Sequence, residues 1–212
     1  MYLTVRTYRG TAGRPDDIAH LVKGTLLPML SGLAGFGAYF VAAAANERTV
    51  FATTLFDSRE HALAANEQTR AWVVGHLREA LPNPPEVIGG EVLHAESVEL
   101  REGSDSAHTL AIITFGAGGL SLKALEAVQQ SVVAGAPDGG MVPGVLSYVT
   151  ARSESHTDQG VVVLLTSDKD EAARPVHGAV AEELAGTLPS RPEVLEGKVM
   201  IAVTSGRIVS PS

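Results

Sequence analysis

The sequence predicts an α+β protein built as two βαββαβ halves whose sheets face each other within one chain. Three observations carry this prediction. Leu81-Pro82-Asn83-Pro84-Pro85-Glu86-Val87 recurs as Leu188-Pro189-Ser190-Arg191-Pro192-Glu193-Val194, an offset of 107 residues. The same offset lays Leu3–Tyr8 over Leu110–Phe115, while offsets of 109 and 110 lay Gly35–Tyr39 over Gly144–Tyr148 and Phe51–Phe56 over Val161–Thr166. Ordered matches separated by small indels are what a diverged duplication leaves behind. Finally, each half passes through period-two and helical apolar patterns in the order strand, helix, strand, strand, helix, strand. Helices on one face leave the other face of each sheet open, and two such faces can cover each other. Tyr2, Tyr8 and Tyr39, or their neighbours, are expected on that shared face.

The elements follow in order. Tyr2–Tyr8 alternates Leu3, Val5 and Thr7 against Thr4, Arg6 and Tyr8, a strand pattern. A helix is predicted over Asp17–Leu30, with Asp16 as N-cap and Ile18, Leu21, Val22 and Leu26 as its apolar stripe. Pro28 should bend or end it, because proline removes a backbone donor. Gly35–Ala44 and Thr49–Phe56 read as strands joined by a hairpin turn at Asn46-Glu47-Arg48. Asp57-Ser58-Arg59-Glu60 has the form of a capping box with Asp57 as the cap, opening a second helix that runs to Leu77. Pro85–His94 is the fourth strand. These patterns divide the chain into a first repeat (1–95), a linker (96–107), a second, degenerate repeat (108–205) and a tail (206–212). The second repeat should place a helix at Ser121–Ala136 and strands near Gly144–Ala151 and Gly160–Thr166. Its last helix falls within Ala172–Ala185, with Pro175 delaying the start.

Composition narrows the function. Sixteen Lys and Arg against 24 Asp and Glu give a net charge of −8, which argues against nucleic acid or an anionic membrane as partner. With no cysteine there is no disulfide, thiolate nucleophile or iron–sulfur ligand set. The N-terminus lacks the basic and apolar regions of a secretory leader, and a cytoplasmic protein is expected. Gly116-Ala117-Gly118-Gly119 resembles the start of a dinucleotide fingerprint, but Ser121 stands where the third glycine belongs, so a tight turn is the better reading. His20, His61, His76, His94, His108, His156 and His177 show no close ligand spacing, and neither a metal nor any other cofactor is expected.

The helix over Ala62–Leu77 is the most informative element. Ala62, Ala65, Asn66, Thr69, Trp72, Val73, His76 and Leu77 fall within an arc of about 140°. Small residues on that arc leave volume beneath the helix, and Asn66, Trp72 and His76 project polar tips toward it. Two readings stay open: a packed core with satisfied polar groups, or a ligand pocket. The second half lacks this equipment: Ala172–Ala185 holds neither Asn nor Trp, and His177 is its one polar candidate, better read as solvated.

Tyr8, Leu26-Leu27-Pro28-Met29-Leu30, Gly35-Phe36-Gly37-Ala38-Tyr39, the helix carrying Asn66 and Trp72-Val73, and Leu81-Pro82…Pro85-Glu86-Val87 together resemble the antibiotic biosynthesis monooxygenase family. The resemblance implies tandem ferredoxin-like repeats forming an intramolecular dimeric α+β barrel. It also implies a cofactor-independent oxygenase whose electron-rich aromatic or polyketide-like substrate reduces dioxygen directly. Asn66, Trp72 and His76 would then be catalytic, as donors and a proton carrier, and Thr69, Val73 and Tyr39 would contact substrate. The family's Asn and Trp stand four apart on this helix, whereas here they stand six apart. A haem-degrading relative would carry Asn on strand one, where this chain offers Arg6, Thr7 and Tyr8. The expected partner is a small hydrophobic aromatic ligand, with one functional pocket per chain, and pseudo-dimers could assemble further into homo-oligomers. The rival expectation is a non-catalytic ligand-binding or structural barrel.

Overall fold

A computed structural model describes residues 1–101, 108–115, 141–154, 159–168, 176–187, 191–206 and 208–209. Among the described residues the strands are β1 (Tyr2–Arg9), β2 (Phe36–Ala44), β3 (Thr49–Phe56), β4 (Glu86–Ser97), β5 (His108–Phe115), β6 (Val145–Ser153), β7 (Gly160–Ser167), β8 (Glu193–Thr204) and β9 (Ile208–Val209). The helices are α1 (Pro15–Leu21), α2 (Leu27–Ser31), α3 (Arg59–His76) and α4 (Val176–Thr187), with a π-turn at Val22–Leu26 joining α1 to α2.

All pairings are antiparallel, and the strand order β1-β3-β2-β8-β5-β7-β6-β4 returns to β1, closing an eight-stranded barrel. Closure depends on two seams between the halves, β2 with β8 and β4 with β6. The halves therefore join edge to edge as well as face to face, which removes the free strand edges. β9 adds to the far end of β4 at Glu96 and Ser97. Among the described residues, no helix is long and apolar enough to cross a membrane.

Alternation along each strand separates two kinds of core. Leu3, Val5, Phe40, Phe51 and Leu55 meet Leu110, Ile112, Val163 and Leu165 in the barrel lumen. On the outer face of the first half, Tyr2, Tyr8, Tyr39, Val41 and Ile201 pack under the helices with Ile18, Leu26, Leu30, Ala62, Ala65 and Trp72. The three tyrosines thus lie on the helix side, and it is their neighbours that fill the shared lumen. Leu3 and Leu110 face the lumen, and Tyr39 and Tyr148 pack on the outer face of the barrel.

Several element boundaries differ from the sequence reading. α1 starts at Pro15, with Arg14 as the N-cap residue and no side-chain cap bond, so Asp16 lies in the first turn instead of capping. Leu21, assigned to the apolar stripe, is exposed. Pro28 does not end the helix; the π-turn widens the turn before it, and the chain continues helical to Ser31. Ser58, not Asp57, caps α3, accepting from the His61 backbone N–H at 3.2 Å, while Asp57 Oδ1 accepts from His61 Nδ1 at 2.6 Å. β4 runs to Ser97, into the predicted linker, because Ala95–Ser97 pair with β6. α4 is described over Val176–Thr187. The predicted helix Ser121–Ala136, the Gly116–Gly119 turn, Pro175 and His156 lie outside the described residues.

Candidate functional site

A cavity of about 730 Å³ opens between the C-terminal half of α3, the Leu81–Pro85 loop and the β1–β4 edge. Its walls are largely apolar: Val73 and Val74 from α3, Leu81, Pro82, Pro84 and Pro85 from the loop, and Val87 from β4. The local sequence explains the shape. The proline-rich segment after α3 cannot continue a helix or donate a full ladder of backbone bonds, so it stands off the sheet as a rim. Asn83 Nδ2 pins that rim by donating to the Arg9 carbonyl at 3.0 Å.

The cavity floor is polar and is built by β1. Strand alternation turns Thr4, Arg6 and Tyr8 to the helix side, and Arg6 lies between Val87 of β4 and Ala52 of β3 in register. Arg6 is only 6% exposed. Its Nη2 donates to Asn66 Oδ1, and Asn66 Nδ2 in turn donates to Thr4 Oγ1 at 3.3 Å. The guanidinium has only donors, so it must face the amide's oxygen, and this fixes the orientation of Asn66. Arg6 Nη1 is buried with no hydrogen-bond partner among the described residues. Burial pulls the Arg6 pKa below its ordinary value, with the Tyr8 and Tyr39 phenols opposing that shift. Burial likewise raises the pKa of Tyr8 and Tyr39, which the Arg6 charge partly offsets.

Behind Arg6 and Tyr8 lies a second, small void of about 30 Å³, lined also by Tyr39, Thr69 and Val73. That space suits one molecule the size of water or dioxygen.

The residues singled out from the sequence therefore separate into groups. Asn66 and Val73 line the outer cavity; Thr69, Val73 and Tyr39 line the inner void. Thr69 Oγ1 is occupied by the Ala65 carbonyl at 2.8 Å. Trp72 and His76 line neither space. They stack on each other with ring centroids 4.9 Å apart and planes 13° apart, and His76 Nδ1 bonds the Trp72 carbonyl at 2.9 Å. Sequence reasoning missed Arg6, Tyr8 and the rim. The repeat held the signal: at the 107-residue offset Arg6 corresponds to Ile113 and Tyr8 to Phe115, so only one half carries polarity at these positions.

No protein-family model matches this chain, and no curated protein is similar to it in sequence. Solved structures share its fold. A "putative monooxygenase" from Fusobacterium nucleatum superimposes with a TM-score of 0.78 at 8% identity, covering 100% of this chain and 97% of that one. A second protein of that description, from Lactobacillus acidophilus, gives 0.70 at 12% identity, with 99% of each chain covered. An anthrone oxidase-like protein gives 0.54 at 11% identity, over 97% of this chain and 93% of that one. At such identities the likeness is one of fold alone.

Proposed function

We propose that the chain is a tandem duplicate of ferredoxin-like units related to the antibiotic biosynthesis monooxygenases, and that it oxidises a flat aromatic or polyketide-like molecule in the α3 cavity. The observation that carries this reading is the cavity: apolar walls with the volume of a small-molecule site converge on one buried polar cluster, Arg6–Asn66. Its likeness in fold to proteins described as monooxygenases and anthrone oxidase-like supports the chemistry. For an anthrone the balance is simple. The ionised ring gives electrons to dioxygen, one oxygen atom enters the ring carbon as a carbonyl, and the other leaves as water with the two hydrogens of that carbon. No organic cofactor is needed, because the substrate is the reductant. In this reading Arg6, held in place by Asn66, binds the ring oxygen, Val73 and the proline rim exclude water, and the inner void beside Tyr39 and Thr69 admits dioxygen. Trp72 and His76 brace the end of α3.

A binding role without turnover is the second reading, and one observation favours it: among the described residues, no carboxylate or imidazole lines the cavity to take a proton. Oxygen uptake with anthrone, followed with and without the protein, separates the two. Uptake well above the protein-free rate, with anthraquinone as product, is the expected result. Saturable binding with only the background rate would leave a ligand-binding barrel, and no binding would remove the cavity from consideration.

A further inference from the structure

Among the described residues, no acid pairs with the charge of Arg6. Asn66 occupies one edge of the guanidinium, and Nη1 stays buried without a partner among the described residues. A buried cation in this state is costly, and the fold does not need one there. At the matching position of β5 stands Ile113, fully buried in the second half. The charged residues lining the cavity are Arg6, Arg70 and Arg78, with no acid among them, in a chain of net charge −8. Neither Arg70 nor Arg78 forms an ion pair among the described residues, and both are exposed on the α3 side of the mouth.

From these observations we infer that Arg6 is the anion-binding residue of the cavity, and that its ligand is a flat apolar molecule carrying one ionised oxygen group, a carboxylate or an acidic phenolate. This rests on the reading of the cavity as a ligand site. The guanidinium presents its donors as a rigid planar fork. Asn66 is a positioning residue: by accepting from Nη2 it fixes that plane and leaves Nη1 free for the ligand oxygen. Arg70 and Arg78 add long-range attraction at the mouth without reaching the floor. The same arrangement accounts for the missing base. A phenolic ligand releases its proton to bulk water on binding, and the ionised form is retained because only it forms a charge-assisted bond to Arg6.

The test titrates the full chain with three probes. These are anthracene-2-carboxylate, its uncharged isostere 2-methylanthracene, and alizarin, whose visible band moves to the red when its phenol ionises. The wild type should bind the carboxylate at least about tenfold more tightly than the methyl compound, the worth of one hydrogen bond to a charged group. Bound alizarin should ionise at lower pH than the free dye. A response to one of these two anionic probes alone supports the inference and identifies which oxygen group the site takes. Arg6→Met should bind carboxylate and methyl compound alike, whereas Arg6→Lys should keep part of the preference. Arg70→Gln combined with Arg78→Gln should keep most of it; loss of preference in that surface variant would move the anion site to the rim and overturn the assignment. Equal wild-type affinities for the charged and uncharged anthracenes, with an unshifted dye, overturn the Arg6 inference and leave the cavity reading intact. If none of the three binds, both fail. The wild-type comparison needs no variant, and Ile113 indicates that Arg6→Met folds, which a melting curve checks.

Discussion

At the residue scale, the site sets a buried cation and two buried phenols within one apolar core. The guanidinium is tolerated because Asn66 accepts one of its donors and Thr4 steadies Asn66. The phenols carry a consequence that reaches beyond the site. All four tyrosines of the chain, Tyr2, Tyr8, Tyr39 and Tyr148, are buried, and burial is the largest cause raising the pKa of each. The neutral form is therefore favoured in the folded state. Above the unfolded tyrosine pKa of about 10 the unfolded chain binds fewer protons than the native one, so stability falls as pH rises. The stabilisation is fully present below pH 10 and is lost on passing through the raised folded values. A titration of tyrosinate absorbance should show almost no ionisation of the native protein near pH 10, then a steep step coincident with loss of far-ultraviolet circular dichroism. Gradual ionisation of two or more tyrosines in the folded protein near pH 10 would contradict this account of the core.

At the element scale, α3 is held by its N-terminal cap, and Ser58 supplies it. Ser58→Ala should cost about 1 kcal/mol, read as a fall of about 2–4 °C in Tm for a chain of this size. Ligand affinity should be unchanged, because the cavity is lined from Asn66 onward, about two turns beyond the cap. A fall in affinity without a fall in Tm would mean that the cap positions the site instead of the helix end. The predicted cap missed by one residue for a physical reason. Asp57 and Ser58 both accept hydrogen bonds from His61, one through the ring and one through the backbone, and sequence spacing does not distinguish them. Strand positions were legible because period-two alternation is decided by a buried lumen: β3 was read to its residues and β2 to within one. The wheel of α3 places Asn66 and Val73 on one face, and both line the cavity, but a wheel has no third dimension. It could not show that Trp72 and His76 stack on each other, or that the space is completed by a loop and by β1. Arg6 is not legible as a site residue from the sequence, because alternation assigns it a strand face but does not show the approach of α3 that buries it.

At the scale of the whole molecule, stability depends on the two seams that turn two sheets into one barrel. Each seam holds a glycine where strands come close. On β4 a Cβ added to Gly90 would lie 2.1 Å from the Arg152 carbonyl oxygen; on β8 one added to Gly197 would lie 2.4 Å from that of Ala43. These glycines are 107 residues apart, the offset of the sequence repeat, so the feature sits at equivalent places in both halves. The obstructing atoms are backbone, and a substitution must shift a strand instead of a side chain. Gly90→Ala and Gly197→Ala should each cost about 1–3 kcal/mol, the usual range for overpacking. Gly75→Ala, on α3 with nothing within 4 Å of the added carbon, should instead be neutral or stabilising by up to about 1 kcal/mol. The manner of unfolding follows from the lumen, which is filled by side chains of both halves. Opening either seam exposes apolar surface belonging to both, so each sheet keeps its helix-side cluster but neither keeps the lumen packing. Trp72 is the sole tryptophan and lies in the first half, whereas circular dichroism reports strands from both. In the wild type and in both glycine variants the two signals should follow one coincident denaturation curve, shifted but not split by the substitutions. Separate transitions, with Trp72 fluorescence lost before or after the strand signal, would mean that the halves are independent domains joined at their edges.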